Sequence, residues 1–443
     1  APQAPGGGPG GLSGVGRGGS CSQRFEVPGG APARATDLNG VALPDVCFPG
    51  AGPHHVFVIG DWGGVFVDPR RAPRPADDRS RLLPGNHRPF VVGADDCAQQ
   101  NVARQMHRRS LEAPPDYVIN AGDNFYWGGV AAACGTAPGA VGDPSGQWFH
   151  VFEDMYSGEG LAGKQWLGVL GNHDFGGFMF TRGWDQAIGY TWTKAPTSSG
   201  RWMTPALYYS AKVRYADFSV DYFFIDSNVF DALKPTAEQN HNLCSRTHNR
   251  ADATCGVQGP TSVDDCPRWF KRLWEAEVTW LKRGLNASTA EWQVVVTHFP
   301  PEHGREHWKK LTHEYGIDLI ITGHRHQQEV HYSEAGNFLK PTAVIVSGGG
   351  GGITSEGLPT ANGTDDQYGF VDMTLSRTEI MIEAISHGGQ IRSTNCVLRR
   401  VRGGFGQEPV DGQSLCAGRP RQAPPRPPQA RPEAALPEAA RPT

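Results

Sequence analysis

Seven short apolar runs rich in β-branched residues each pass directly into a polar turn, and no other feature constrains this chain as much. They are HHVFVIGDW (54–62), DYVINAGDN (116–124), QWLGVLGNHD (165–174), YFFIDSN (222–228), WQVVVTHFP (292–300), DLIITGHRH (318–326) and AVIVSGGGG (343–351). Apolar runs without alternation describe strands buried on both faces. Helical patterns fall between them at 95–112, 147–157, 267–285 and 305–316. In the third, Trp269, Leu273, Trp274, Val278 and Leu281 form one apolar stripe, which predicts core packing. Strand then helix, repeated, predicts an α/β fold whose functional groups gather where the strands end.

The termini read differently. Residues 1–20 and 403–443 are rich in Gly, Pro, Ala and Arg and poor in large apolar side chains, so they are expected to stay disordered. One domain is expected over 51–402, preceded by a disordered or extended segment 1–50 and interrupted by inserted loops at 64–93 and 228–268. The net charge of −4, without a basic run, offers nothing to a nucleic-acid backbone or an anionic membrane. No apolar run approaches the roughly 20 residues that span a bilayer, so a soluble protein is expected.

Nine cysteines stand at 21, 47, 97, 134, 244, 255, 266, 396 and 416, with no CxxC pair. Scattered cysteines, the sequons Asn286-Ala-Ser and Asn362-Gly-Thr, and a start at Ala1 rather than Met all suit a secreted or luminal glycoprotein. Within 228–268, Cys244, Cys255 and Cys266 with His241 and His248 fit a disulfide-tied surface loop better than a second metal site, because the spacing matches no standard zinc arrangement.

The metal-capable side chains at the strand ends are Asp61, Asp123, Tyr126, Asn172, His173, His298, His324 and His326. Each alone is ordinary turn or cap chemistry. Together, at the carboxyl ends of five strands, they describe a site for two ions. Carboxylate and phenolate oxygens suit a trivalent ion, while imidazole and amide oxygen suit a divalent one.

The series GDWGG, GDNFY, GNHD, VVTHFP and GHRH, over roughly 54–390, resembles the calcineurin-like metallophosphoesterases. GDNFY, with its tyrosine, resembles the purple acid phosphatases among them, and the short lead before Asp61 resembles their small, single-domain, tartrate-resistant class. RWMTPALYYS (201–210) and EHG (302–304) agree with that class, although the lead-in from His298 to EHG is shorter than usual. The resemblance implies a four-layer αββα sandwich with two mixed sheets. It also implies an Fe(III) site of Asp61, Tyr126, His326 and bridging Asp123, and a divalent site (Fe, Zn or Mn) of Asn172, His298, His324 and Asp123. The implied activity is acid phosphatase: phosphate monoesters, on small molecules or phosphoproteins, are hydrolysed by metal-activated hydroxide. His173 and then His303 are the candidate proton donors to the leaving oxygen, with Asp174 either orienting His173 or accepting backbone hydrogen bonds. In the family, a loop at the place of 228–268 overhangs the active site, so this insert is expected to act as a lid, to shape substrate choice or to bind a protein partner. The alternatives are a phosphodiesterase or nucleotide pyrophosphatase on the same scaffold, and a silent anchoring or binding protein.

Overall fold

The computed structural model describes residues 21–64, 88–138, 146–194, 196–237, 241–400 and 415–416. The terminal stretches 1–20 and 403–443, apart from 415–416, and most of the loop 64–93 lie outside them. Along the chain run β1 (Val41–Ala42), β2 (Val46–Phe48), β3 (His54–Ile59), α1 (Ala98–Glu112), β4 (Pro115–Asn120), β5 (Trp166–Gly168), α2 (Asn172–Phe175) and α3 (Trp184–Gly189). Then come β6 (Trp202–Met203), β7 (Tyr209–Tyr215), β8 (Ser219–Phe224), α4 (Cys266–Ala287), β9 (Trp292–Val296), α5 (Arg305–Tyr315), β10 (Leu319–Thr322), β11 (Gln328–His331) and β12 (Ala343–Ser347). The last strands are β13 (Gly369–Leu375), β14 (Glu379–Ser386) and β15 (Ile391–Leu398).

The strands form two mixed sheets. One has the order β1-β7-β8-β9-β10-β12-β11, with β2 also on β7, and the other β15-β14-β13-β3-β4-β5-β6. Side-chain alternation along each strand explains why the runs are apolar throughout. Val56 and Val58 join Val294, Val296, Leu319 and Ile321 in the core between the sheets. Their neighbours Phe57 and Ile59 face outward, with Val102 and Met106 of α1. On the other outer face, Val295 and Ile320 pack with Leu281 and Leu285 of α4 and Trp308 and Leu311 of α5. Helix, sheet, sheet, helix is the four-layer αββα arrangement that the sequence resemblance implied.

Several boundaries differ from the expectation. Residues 21–50 were assigned outside the domain, yet β1 and β2 pair with β7. Phe25, Leu43 and Val46 are buried in the inter-sheet core, and Cys21 is bonded to Cys47. Strands of two and three residues carry too little periodicity to be read from sequence. The helix expected over 147–157 contains a single π-helical turn, Phe149–Glu153. Rings hold it: Trp148 stacks on Tyr190 at 3.6 Å, while buried Arg201 of the RW segment reaches Tyr156 O at 2.7 Å and Glu153 Oε2 at 2.9 Å.

The insert 228–268 is tied by disulfides, as expected, but it is more than a surface loop. Cys244 pairs with Cys266, and Cys134 with Cys255; Leu243, Cys244, Cys255 and Val263 are buried in the outer core. Cys396 pairs with Cys416, and Cys97 is free. Among the described residues, no helix is long and apolar enough to cross a membrane.

The stripe on α4 carries an unexpected carboxyl group. Glu277 is fully buried and accepts a hydrogen bond from Asp226 N at 3.0 Å. Burial, and then the charge of Asp226, hold its pKa well above the ordinary value.

Two stability predictions follow from this packing. Cys134→Ser with Cys255→Ser opens a link across 121 residues and should cost about 2–5 kcal/mol in denaturant unfolding. Burial raises the Glu277 pKa in the folded state, so its contribution to stability is present in acid and falls as pH rises above the ordinary value of 4.5. Glu277→Gln should therefore match the wild type near pH 4 and exceed it at pH 8 by about 1–3 kcal/mol, read as a gap in Tm that widens with pH.

Candidate metal centre

The parallel neighbours β3, β4 and β5 end side by side, and their turns carry Asp61, Asp123 and Asn172. In the facing sheet, parallel β9 and β10 end at His298 and at His324-Arg325-His326. All seven expected ligands meet between these two rows of strand ends.

Tyr126 Oη lies 2.7 Å from Asp123 Oδ2, 3.0 Å from Asp61 Oδ1 and 3.3 Å from His326 Nε2. Ligand atoms of Asp61, Asp123 and His326 all lie within 4.8 Å of one another. On the other side of Asp123, His298 Nε2 is 3.5 Å from Asp123 Oδ2 and 3.2 Å from Asn172 Oδ1. The ring of His324 is 5.3 Å from that of His298, centroid to centroid. Asp123 therefore stands between an oxygen-rich group and a nitrogen-rich group.

The backbone is bent to make this possible. Asp61, Asp123 and His324, with φ of 57°, 53° and 67°, are the non-glycine residues in the left-handed region among the described residues. That conformation is costly without a compensating role, and here all three belong to the candidate ligand set. Backbone must also approach closely. A Cβ at Gly171 would lie 2.1 Å from Asp123 Oδ1, and one at Gly352 would lie 2.2 Å from the Tyr126 ring. The glycine run 348–352 is thus a wall of the site: Gly350 N bonds Gly60 O at 3.0 Å, and Gly352 N bonds Asp61 O at 2.7 Å.

The protonation chemistry fits cations. His298 Nδ1 lies 2.8 Å from Ala121 O; a carbonyl only accepts, so Nδ1 carries hydrogen and, in the neutral ring, Nε2 presents its lone pair. That lone pair faces Asn172 Oδ1, another acceptor. Two acceptors at that separation need positive charge between them. Without another cation the ring itself supplies it: burial lowers its pKa, but Asp123 and Asp61 more than reverse this and hold it at about 10. Burial also raises the Asp61 carboxyl, and it raises the Tyr126 phenol together with the charges of Asp123 and Asp61. Asp123 keeps its charge, because His298 and His173 outweigh its burial. A metal ion is a group that can displace these protons, and ligand atoms of Asp61, Asp123 and His326 lie close enough together to share one.

Of the two candidate proton donors, His173 is buried, with Nδ1 2.6 Å from Trp127 O and its ring 4.5 Å from that of Tyr126. His303 is exposed, its ring 5.3 Å from that of His324. Asp174 does not reach the His173 ring. Its carboxylate accepts from Asn124 N at 3.0 Å, Asn124 Nδ2 at 2.9 Å and Gly171 N at 2.8 Å, clamping the GDNFY turn to the GNHD turn. Burial, then Asp123, raise its pKa to about 7.

Sequence reasoning named His241 only as part of a disulfide-tied surface loop and did not single out Asp231, yet both border this cleft. The insert brings His241 to 6.0 Å from His173 and 6.3 Å from His324, centroid to centroid, with Asp231 behind it. The only signal was a polar pair within a cysteine-rich loop.

The comparisons with known proteins agree with this geometry. The family described as calcineurin-like phosphoesterase matches residues 54–328. Tartrate-resistant acid phosphatase type 5 of Homo sapiens is 25% identical over 387 residues, covering 82% of this chain and 97% of its own. Purple acid phosphatase 17 of Arabidopsis thaliana is 26% identical over 261 residues, covering 57% of this chain and 63% of its own. A solved structure described as GAP50, the anchor in the inner membrane complex of Plasmodium, aligns with a TM-score of 0.50 at 17% identity, over 79% of this chain and 89% of its own. At that identity the likeness bears on the fold alone. The family match includes every candidate ligand from Asp61 to His326, and the chain belongs to the calcineurin-like phosphoesterase family, homologous at modest identity to the tartrate-resistant and purple acid phosphatases.

Proposed function

We propose that this protein is an acid phosphatase that hydrolyses phosphate monoesters at a ferric and divalent pair of ions. The observation that carries the reading is Tyr126, whose hydroxyl touches Asp61, Asp123 and His326 at once. Asp61, Tyr126 and His326 would hold the ferric ion, Asn172, His298 and His324 the divalent one, and Asp123 would serve both. When bound, such a pair supplies Lewis acidity toward phosphoryl oxygens and lowers the pKa of water. The substrates would be small phosphorylated molecules or phosphoproteins, in a secreted or luminal compartment that the four disulfides suit.

The protein's own part is to orient these groups and to handle the proton of the leaving alcohol. His173 is the first choice for that proton. Its Nδ1 hydrogen is held by the Trp127 carbonyl, which fixes the ring and leaves Nε2 to carry the transferred proton. His303, beside His324, is the second.

Metal analysis and a visible spectrum of the purified protein test the assignment. Iron with one divalent ion and a charge-transfer band is expected, and Tyr126→Phe should abolish the band. A colourless zinc or manganese protein that cleaves only diesters would replace this reading with a phosphodiesterase. Undetectable hydrolysis with both ions bound would replace it with an anchoring or binding protein. For the proton donor, His173→Asn should lower kcat on an alkyl phosphate by about 10²-fold and much less on 4-nitrophenyl phosphate, whose leaving group needs little protonation. The same contrast at His303→Asn instead would move the role to His303.

A further inference from the structure

The segment after Asn172 and His173 turns sharply at a pair of glycines. Gly176 and Gly177 have φ of 136° and 77°, and a Cβ at Gly177 would come within 3.0 Å of His173 Nδ1. The turn delivers Phe178, whose ring stacks on Trp127 at 5.8 Å and 17° and on His241 of the insert at 5.5 Å and 14°. His248 packs on the same ring at 5.0 Å. Three segments distant in sequence thus contribute one row of rings.

The row borders the candidate metal centre. Centroid to centroid, the Trp127 ring lies 4.6 Å from that of His173, and the His241 ring lies 6.0 Å from His173 and 6.3 Å from His324. None of the three rings is fully covered. Trp127 and Phe178 are half-buried, and the side chain of His241 keeps 32% of its surface exposed. Aromatic surface left open beside a few convergent polar groups is the usual lining of a small-molecule site, because a ligand completes the burial.

We infer that Trp127, Phe178 and His241 form the subsite for the leaving group and select esters in which that group is an aromatic ring. His173 stands next to Trp127, so an alcohol that takes its proton from His173 departs along this wall. An aryl ring there packs edge to face or offset against the row, which an alkyl group cannot do. The inference rests on the phosphoesterase reading, with His173 on the leaving side, and adds to it the class of ester.

Benzylphosphonate and ethylphosphonate are the probes. Each carries CH2 in place of the ester oxygen, so neither can be hydrolysed, and they stand for phenyl and methyl phosphate. Their affinities for the metal-loaded full chain are measured by calorimetry, with metal content measured beside them. The wild type should bind benzylphosphonate about tenfold more tightly, the worth of one aromatic contact with its buried area. Phe178→Ala should reduce that ratio to about twofold with metal retained, Trp127→Leu should also lower it, and Phe178→Tyr should keep it. A phosphotyrosine peptide with a higher kcat/KM than phenyl phosphate, the advantage being lost in Phe178→Ala, assigns the ring to a protein side chain; the reverse order assigns it to a small aryl ester. Equal affinity for the two probes in the wild type, or binding of neither, would overturn the inference. So would an unchanged ratio in both Phe178→Ala and Trp127→Leu, or loss of metal in both, which would make the rings a support for the ligands. A wild type that prefers benzylphosphonate through Phe178 but turns over no ester would remove the phosphatase reading and leave this inference standing.

Discussion

Asp61 and Asp123 are buried acidic side chains in the turns that follow two adjacent parallel strands, and among the described residues no lysine or arginine pairs with either. Two such charges withdrawn from water cost several kcal/mol each unless positive charge is brought to them. Everything around them answers that requirement. The N–H of His173 bonds Asp123 Oδ1 at 2.8 Å, the N–H of His324 bonds Asp61 Oδ2 at 2.9 Å, and the rings of His298 and His326 stand 3.5 Å from the carboxylates. These groups are arranged for cations, and the strain at Asp61, Asp123 and His324 is tolerated because the surrounding sheets hold their backbones fixed.

The fold provides that fixity. Parallel pairing places successive strand ends at the same rim, and two sheets packed face to face bring two such rims together. Small residues then decide how close the rims come. Gly171 and Gly352 admit Asp123 and Tyr126 at distances that any side chain would forbid. The clamp of Asp174 on Asn124 joins the turns after β4 and β5, so the Asp123 carboxylate and the Asn172 amide are positioned as one unit. The insert adds a further wall on the side of Asn172 and His324, with its geometry set by disulfides and aromatic stacking.

The αββα layering was legible, and candidate ligands could be named, because both follow from local pattern. A strand buried on both faces must be apolar throughout, and a ligand at its end must interrupt that run, as Asp61 interrupts HHVFVIG and His298 interrupts WQVVV. The short strands β1 and β2 were not legible, because two or three residues carry no period. The π-helical turn at Phe149–Glu153 has helical spacing, but ring packing determines its form. Glu277 lies beside an apolar stripe, its burial is not readable from helical spacing, and one of its oxygens is met by Asp226 N.

The sequence by itself determined which residues could ligate metal and at which strand ends they stand, since residue type and strand termination are local properties. Tertiary structure alone decided that Asp231 and His241 face the same cleft, that Cys134 finds Cys255 across 121 residues, and that Asp174 braces Asn124 rather than His173. Those outcomes depend on which distant segments meet when two sheets close on one another, and no periodicity along the chain encodes that meeting.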